Sequence, residues 1–353
     1  MTATGVDAVF AGSPGLVAFL TGHVMPAHLG FPSRDARNEK PTLAIVTNDD
    51  AVTIGGSPTP AVGRTVSWGE GASGLRDDAA AFAAIGEALG SLRLRRGKMA
   101  VELAHVDAGA YRAVVQAAPE LVIKPLNDLL AAAKAVKDNN ELDGLRAALR
   151  LCDVGQAAVR AGVAPGVSEL DLHGRALQAM NAETGDMIVS IGEIQVGARG
   201  ELIAGPPTGA WLREGELAMC DLAPRHPNGW WGDSCLTVAC GEPPQAARRD
   251  WRALIDGMEA GREVLRPGVT AGAVFEVVCR YAGMQPGHAG HGIGRDHYEE
   301  PVIAADSLDP LPENAVIVLE PGRYGDGRGM RVEHAFRVTP DGGERLSSFS
   351  LEM

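Results

Sequence analysis

Two stretches of this chain place carboxylates at the ends of apolar strands. The first runs LAMCDL, turns through PNGWWG and returns as DSCLTVA; the second runs VIVLEP, turns through GRYGDGRG and returns as EHAFRVT. Asp221 and Asp233 stand 12 residues apart in the first, and Glu320 and Glu333 stand 13 apart in the second. These spacings suit two hairpins whose carboxylates sit side by side across the ladder, with an approximate internal duplication as the simple explanation. An isolated charge ending an apolar strand is expensive to bury. Four gathered carboxylates also raise one another's pKa unless a cation lies between them. The nearby His-rich segment is GHAGHGIGRDH, in which His291 sits between glycines that would let a ligand and a substrate approach closely. The chemistry expected is therefore metal-dependent. Oxygen donors favour hard ions such as Mg2+ or Mn2+, and one imidazole moves the preference toward Mn2+, Fe2+, Co2+ or Zn2+.

Neighbours of these residues have readings of their own. Arg331 precedes Glu333 by two residues, shares its strand face, and is expected to pair with a ligand carboxylate and orient it. His334 should point away from the cluster. Cys220 and Cys235 lie beside ligand-bearing positions and are read as turned to the opposite face, packing in the core. Trp230 and Trp231 sit at a hairpin turn and are expected to pack against the first domain. Glu299 reads equally as a pocket residue or as surface charge.

The elements that must carry this cluster follow from composition and pattern. A length of 353 residues suggests two domains. The net charge of −13 argues against nucleic acid and against an anionic membrane surface as partners. No apolar run is long enough to span a bilayer. The opening MTATGVDAVFAGSPG lacks the basic and apolar regions of a signal peptide. The five cysteines form no C-x-x-C and read as buried thiols in a reducing compartment, so a cytoplasmic protein is expected. In the first third, VDAVFAG, PTLAIVT, KMAVEL and ELVIKP read as strands alternating with the helices DDAAAFAAIGEAL and AGAYRAVVQAA, an α/β pattern. A long helical stretch from Asn127 to Ala161 breaks at KDNN, and the domain boundary is placed near Lys137. Ser168 and Asp171 read as a capping box opening the next helix. The strands DMIVSIG, GELAMCDLAP and DSCLTVAC follow. Two helices, PQAARRDWRALIDGMEAGREVL and AGAVFEVVCRYAG, come next, and then the strands NAVIVLEPG, GMRVEHAFRVT and RLSSFSL.

The order DL…GD, GHGIG, LEPG, RVEH resembles the M24 metallopeptidase superfamily, which includes methionine aminopeptidase, Xaa-Pro aminopeptidase, prolidase and the metal-free creatinase. The segment KDNNELDGLRAALRLCD resembles the helix that opens the family's catalytic domain, and SPGLVAFLTGH resembles a motif of the creatinase-type N-terminal domain. The resemblance implies an α+β chain: a smaller creatinase-like α/β domain over residues 1–130, then a C-terminal pita-bread domain over residues 138–353 that binds the metals. It implies two divalent ions (Mn2+, Co2+, Fe2+ or Zn2+), with Asp221 on one, Asp233 and Glu333 bridging both, and His291 and Glu320 completing the second. It also implies that Glu320 shuttles a proton beside the attacking water, and that the chain pairs as a homodimer.

Two positions depart from that pattern. The family's peptidases carry a His upstream of the first Asp ligand, but residues 174–220 contain none, and the matching region around Ala204 reads RGELIAGPPTGAW. They also carry a His seven residues after the GHG histidine, where this chain has Tyr298, with His297 one residue early. By resemblance those groups steady the tetrahedral intermediate, and losing such a donor costs roughly two to three orders of magnitude in rate. Tyr298 and His297 are the candidates at the second of these positions, and the upstream loss has no obvious replacement. The reaction expected is metal-assisted hydrolysis of an amide C–N bond in a small peptide, of the Xaa-Pro aminopeptidase or dipeptidase type. A small non-peptide amide, a lyase reaction and a non-catalytic binding role remain as alternatives.

Overall fold

The structure, a computed structural model, describes residues 5–24, 42–55, 62–66, 78–126, 129–203, 205–283 and 287–353. The chain divides into two compact units, Met1–Leu130 and Ala131–Met353.

The first unit is a mixed sheet with helices on both faces. Its elements are β1 (Ala8–Ala11), α1 (Pro14–Thr21), β2 (Leu43–Thr47), β3 (Ala51–Ile54), β4 (Arg64–Val66), α2 (Asp78–Ser91), β5 (Arg96–Val101), α3 (Ala108–Ala117) and β6 (Glu120–Pro125). The strand order is β4-β3-β2-β1-β5-β6. Strand β1 pairs antiparallel with β2 and parallel with β5. Near-continuous apolar strands fit burial on both faces. Phe10, Ile45 and Val101 pack under Ile85 and Val114 on one side, and Val9, Ala44 and Ala100 pack under Leu16 and Val17 on the other. Helix α1 starts where Ser13 Oγ accepts from Leu16 N and ends at Gly22 in the left-handed region.

The second unit has the pita-bread fold. It contains α4 (Ala131–Ala135), α5 (Asn139–Gly162), α6 (Glu169–Thr184), β7 (Val189–Val196), β8 (Leu217–Arg225), β9 (Ser234–Ala239), α7 (Gln245–Val264) and α8 (Ala271–Ala282). These are followed by β10 (His288–Gly292), β11 (Glu299–Ala304), β12 (Val316–Leu319), β13 (Gly322–Gly325), β14 (Arg328–Arg331), β15 (His334–Thr339) and β16 (Gly342–Arg345). The strands form three sheets, β7-β8-β9, β11-β10-β12-β15-β16 and the hairpin β13-β14. Capping boxes start α5 at Asp138 with Glu141, and α6 at Ser168 with the expected Asp171. Among the described residues, no helix is long and apolar enough to cross a membrane.

Several readings change here. Trp230 packs within this unit, in a core with Leu142, Leu145 and Leu149 of α5, and Arg295 covers its ring. The GRYGDGRG stretch is a hairpin in its own right, with Gly322 opposite Arg331. The expected strand RLSSFSL is irregular after Arg345. Its backbone is held by helix side chains instead: Asp153 Oδ1 accepts from Ser348 N and Phe349 N, and Trp251 Nε1 donates to Leu351 O.

Candidate metal centre

The two carboxylate-bearing hairpins lie in different sheets and meet at one seam. In the first, Asp221 faces Cys235 and Leu222 faces Ser234, so Asp221 and Asp233 are diagonal neighbours rather than opposite ones. In the second, Leu319 faces His334, which sets Glu320 and Glu333 just beyond the last pair. The seam is an isolated bridge between Cys235 and Glu333, where Glu333 N donates to Cys235 O at 2.9 Å. From below, Gln156 of α5 supports the first hairpin, its Nε2 donating to Cys220 O at 3.0 Å and Ser234 O at 3.2 Å.

Strand β10 brings in His291 between β11 and β12. The glycines beside it serve the neighbouring strands rather than a ligand. A Cβ on Gly290 would meet Val318 O at 1.9 Å, and one on Gly292 would meet Glu300 O at 2.5 Å. His291 Nδ1 lies 2.9 Å from Gly292 O. A carbonyl only accepts, so Nδ1 carries the hydrogen and Nε2 offers its lone pair. That Nε2 lies 3.5 Å from Asp233 Oδ2 and 3.6 Å from Glu320 Oε1.

Asp221, Asp233, His291, Glu320 and Glu333 all line one cavity of about 430 Å³, together with His297 and Tyr298. Single donor atoms of Asp233, His291 and Glu333 lie within 4.8 Å of one another, and so do those of Asp221, Cys235 and Glu333. Glu333 belongs to both groups. Cys235 thus faces the cluster, contrary to its reading from sequence. It stands two residues after Asp233, and alternation returns it to the same side. Cys220, one residue from Asp221, does pack in the apolar core with Ile194 and Leu222.

Arg331 extends between carboxylates as expected, with Nη2 at 3.1 Å from Asp221 Oδ2 and Nη1 at 3.1 Å from Glu320 Oε2. His288 Nε2 lies 3.0 Å from Glu320 Oε1. The Tyr298 hydroxyl reaches the same oxygen at 3.3 Å and also bonds His288, while its ring stacks on His291. His297 turns instead to Asp233, with Nε2 at 2.8 Å from Oδ2. His334 points away, bonding Ser347 and stacking on Phe349. Glu299 is neither in the cavity nor exposed: its Oε2 takes Lys137 Nζ at 2.9 Å in a buried ion pair. Glu193 is a cavity residue that the sequence reading missed. It faces Asp221 across the β7–β8 ladder, 3.5 Å from Arg331 Nη2, and the single carboxylate within the strand VSIGEIQV was the available signal. Ala204 lies outside the described residues.

The electrostatics divide the carboxylates. Burial first, then the charges of Asp233 and Glu193, push Asp221 up to about 7 against the pull of Arg331. Burial and the charges of Asp233 and Asp221 raise Glu333 well above the carboxylate range. Burial also works to raise Asp233, but the charge and hydrogen bond of His297 prevail and hold it far below that range. Burial likewise opposes an imidazolium at His297, but Asp233 wins and raises it to about 9. Asp233 Oδ1 and Glu333 Oε2 are buried without a hydrogen-bond partner among the described residues. Buried carboxylate oxygens that repel one another and lack donors fit a divalent cation, and the mixed carboxylate and imidazole donors fit Mn2+, Fe2+, Co2+ or Zn2+.

Comparison with known proteins agrees with this architecture. The chain is 32 % identical over 236 residues to the probable dipeptidase PepE of Mycobacterium tuberculosis, an alignment covering 64 % of this chain and 62 % of PepE. It is 25 % identical over 367 aligned positions to the Xaa-Pro dipeptidase of Lactobacillus delbrueckii subsp. lactis, covering 99 % of this chain and 95 % of that one. The fold matches the solved Xaa-Pro dipeptidase from Bacillus anthracis with a TM-score of 0.83 at 18 % identity, over 100 % of this chain and 96 % of that one. It also matches the prolidase from Pyrococcus horikoshii OT3 with a TM-score of 0.81 at 18 % identity, over 100 % and 96 % of the two chains. A model of metallopeptidase family M24 matches residues 143–340, more than half of the length, and the chain belongs to that family.

Proposed function

We propose that this chain is a dinuclear-metal hydrolase that cleaves an amide C–N bond in a small peptide, of the Xaa-Pro dipeptidase or aminopeptidase type. The observation that carries the reading is the gathering of four carboxylates and His291 on one cavity, with buried oxygens of Asp233 and Glu333 left without donors. The likeness to PepE, a probable dipeptidase, and to the Lactobacillus Xaa-Pro dipeptidase supports the peptide substrate. In this proposal Asp221 serves one ion, Asp233 and Glu333 serve both, and His291 and Glu320 complete the second. When bound, the ions supply the positive charge the cluster lacks, polarise the amide carbonyl and acidify a water molecule.

The chain's own residues do the rest. Glu320 holds the transferred proton at Oε1 and delivers it to the leaving nitrogen. Arg331 fixes its other oxygen, so the carboxylate cannot swing away. Burial, with the Glu320 charge behind it, raises the Tyr298 phenol well above its ordinary value, so its hydroxyl stays protonated and can donate to a developing oxyanion. His297 holds Asp233, and the role first read for it at the scissile bond passes to Tyr298 and His288.

A second reading has one observation behind it. Among the described residues, the segment upstream of Asp221, where peptidases of the family are expected to carry an imidazole, gives the cavity Ile191, Glu193 and Ile203. That lining suits a small non-peptide amide. The test is a purified chain loaded with Mn2+ or Co2+, analysed for metal and assayed on Xaa-Pro dipeptides and simple amides. Two ions per chain with dipeptide turnover is the expected result. A chain that retains no divalent metal overturns the proposal.

A further inference from the structure

We propose that Cys235, its thiol proton released to solvent as the ion binds, is a thiolate donor to the cation held by Asp221 and Glu333, giving that position a mixed oxygen and sulfur ligand set. The inference rests on reading the cavity as a metal centre, but it assigns a ligand of a different chemical class. The backbone supplies the first support. Asp221 and Cys235 are direct partners across the β8–β9 ladder, and Cys235 is bridged to Glu333 across the seam, so the three side chains leave one meeting point. The side chains supply the second. Cys235 Sγ and one carboxylate oxygen each of Asp221 and Glu333 lie within 4.8 Å of one another. A tetrahedral ion with a metal–sulfur bond of about 2.3 Å and metal–oxygen bonds near 2.1 Å holds such atoms about 3.6 Å apart, inside that limit.

A buried thiol alone is usually packing. Here its neighbour Glu333 is 1 % exposed, its Oε2 has no hydrogen-bond partner among the described residues, and one of its carboxylate oxygens lies within 4.8 Å of the Cys235 sulfur. Cys220 provides the contrast, on the opposite face within an apolar cluster. Thiolate ligands favour softer ions, so the site should prefer Zn2+ or Co2+ over Mn2+.

The full chain loaded with Co2+ tests this by absorption spectroscopy. A near-ultraviolet thiolate-to-Co2+ charge-transfer band is expected, lost in Cys235→Ser and kept in Cys220→Ser. Titration calorimetry should show Zn2+ binding weakened on the order of 10- to 100-fold in Cys235→Ser, with Mn2+ binding changed by less than about threefold. X-ray absorption at the zinc edge of the unaltered chain needs no variant and should resolve a sulfur neighbour at about 2.3 Å. Bound ions with only oxygen and nitrogen neighbours overturn the inference and leave the dinuclear centre standing. A chain that binds neither Co2+ nor Zn2+ overturns both.

Discussion

The imidazole of His297 holds Asp233 from outside the cluster, with Nε2 2.8 Å from Oδ2, while its ring leans on Trp231 at 5.6 Å between centroids. One oxygen of Asp233 is thereby oriented by a donor, and the other is left free and buried. Outer partners of this kind tune metal affinity by roughly 10- to 100-fold. His297→Ala should weaken Mn2+ or Zn2+ binding by about that factor in calorimetry, with the fold retained by circular dichroism. Unchanged affinity would show that the contact does not position the carboxylate.

Among the described residues, Arg331 is the one guanidinium that spans Asp221 and Glu320, at 3.1 Å to each. A lysine ammonium is a point charge and cannot hold two carboxylates in that forked geometry. Arg331→Lys should therefore lower kcat/KM by about tenfold or more, the scale of one charged hydrogen bond, while the bound metal content stays near that of the parent. Steady-state kinetics alongside metal analysis checks this. Full activity in the lysine variant would reduce Arg331 to a source of charge alone.

What the sequence revealed about this centre follows from where the ordering forces are local. Glu320 and Glu333 end and begin apolar strands whose period is visible, and the structure sets them beside each other. The first hairpin has the same appearance in sequence, but its register pairs Asp221 with Cys235, because register is fixed by the turn and by the sheet beneath rather than by spacing alone. Strand β10 carries no apolar alternation, since GHAGHG is mostly glycine and histidine. It exists because it pairs with β11 and β12 on either side, and their carbonyls at Glu300 and Val318 leave no room for a Cβ at Gly292 and Gly290, a tertiary constraint that only the fold displays. The final RLSSFSL alternates like a strand, but beyond Arg345 and the Leu346 N–Ala335 O bond its partners are Asp153, Arg160 and Trp251 on helices, so the ladder stops there.

Gln156 joins the helix layer to the Asp221–Asp233 hairpin through two backbone carbonyls and Ser234 Oγ at 3.1 Å, and it is fully buried. Gln156→Leu keeps the bulk and removes the donors. Losing these buried bonds should cost about 1–3 kcal/mol in chemical denaturation. Because Cys220 O and Ser234 O flank Asp221 and Asp233, metal affinity should fall with it. A variant with unaltered stability would mean that the ladder alone holds the hairpin.

Asp250 on α7 binds two of the arginines of the hairpin that follows Glu320: Arg328 Nη2 at 2.9 Å, and Arg323 Nη1 in a short contact. Partial burial works to raise its carboxyl, but the two guanidiniums prevail and hold it below the ordinary carboxylate value. A folded pKa below the unfolded one, which is about 3.9, means that the folded state resists protonation. The stabilisation is then complete above about pH 5 and is lost as the pH falls through the folded value. Asp250→Asn removes it at every pH. The melting temperature of the parent should exceed that of Asp250→Asn by about 2 °C at neutral pH, the scale of a partly exposed ion pair. That gap should hold down to about pH 5 and close as the pH drops below about 4. A gap that stays constant into strong acid would show that the aspartate acts through shape and not through charge.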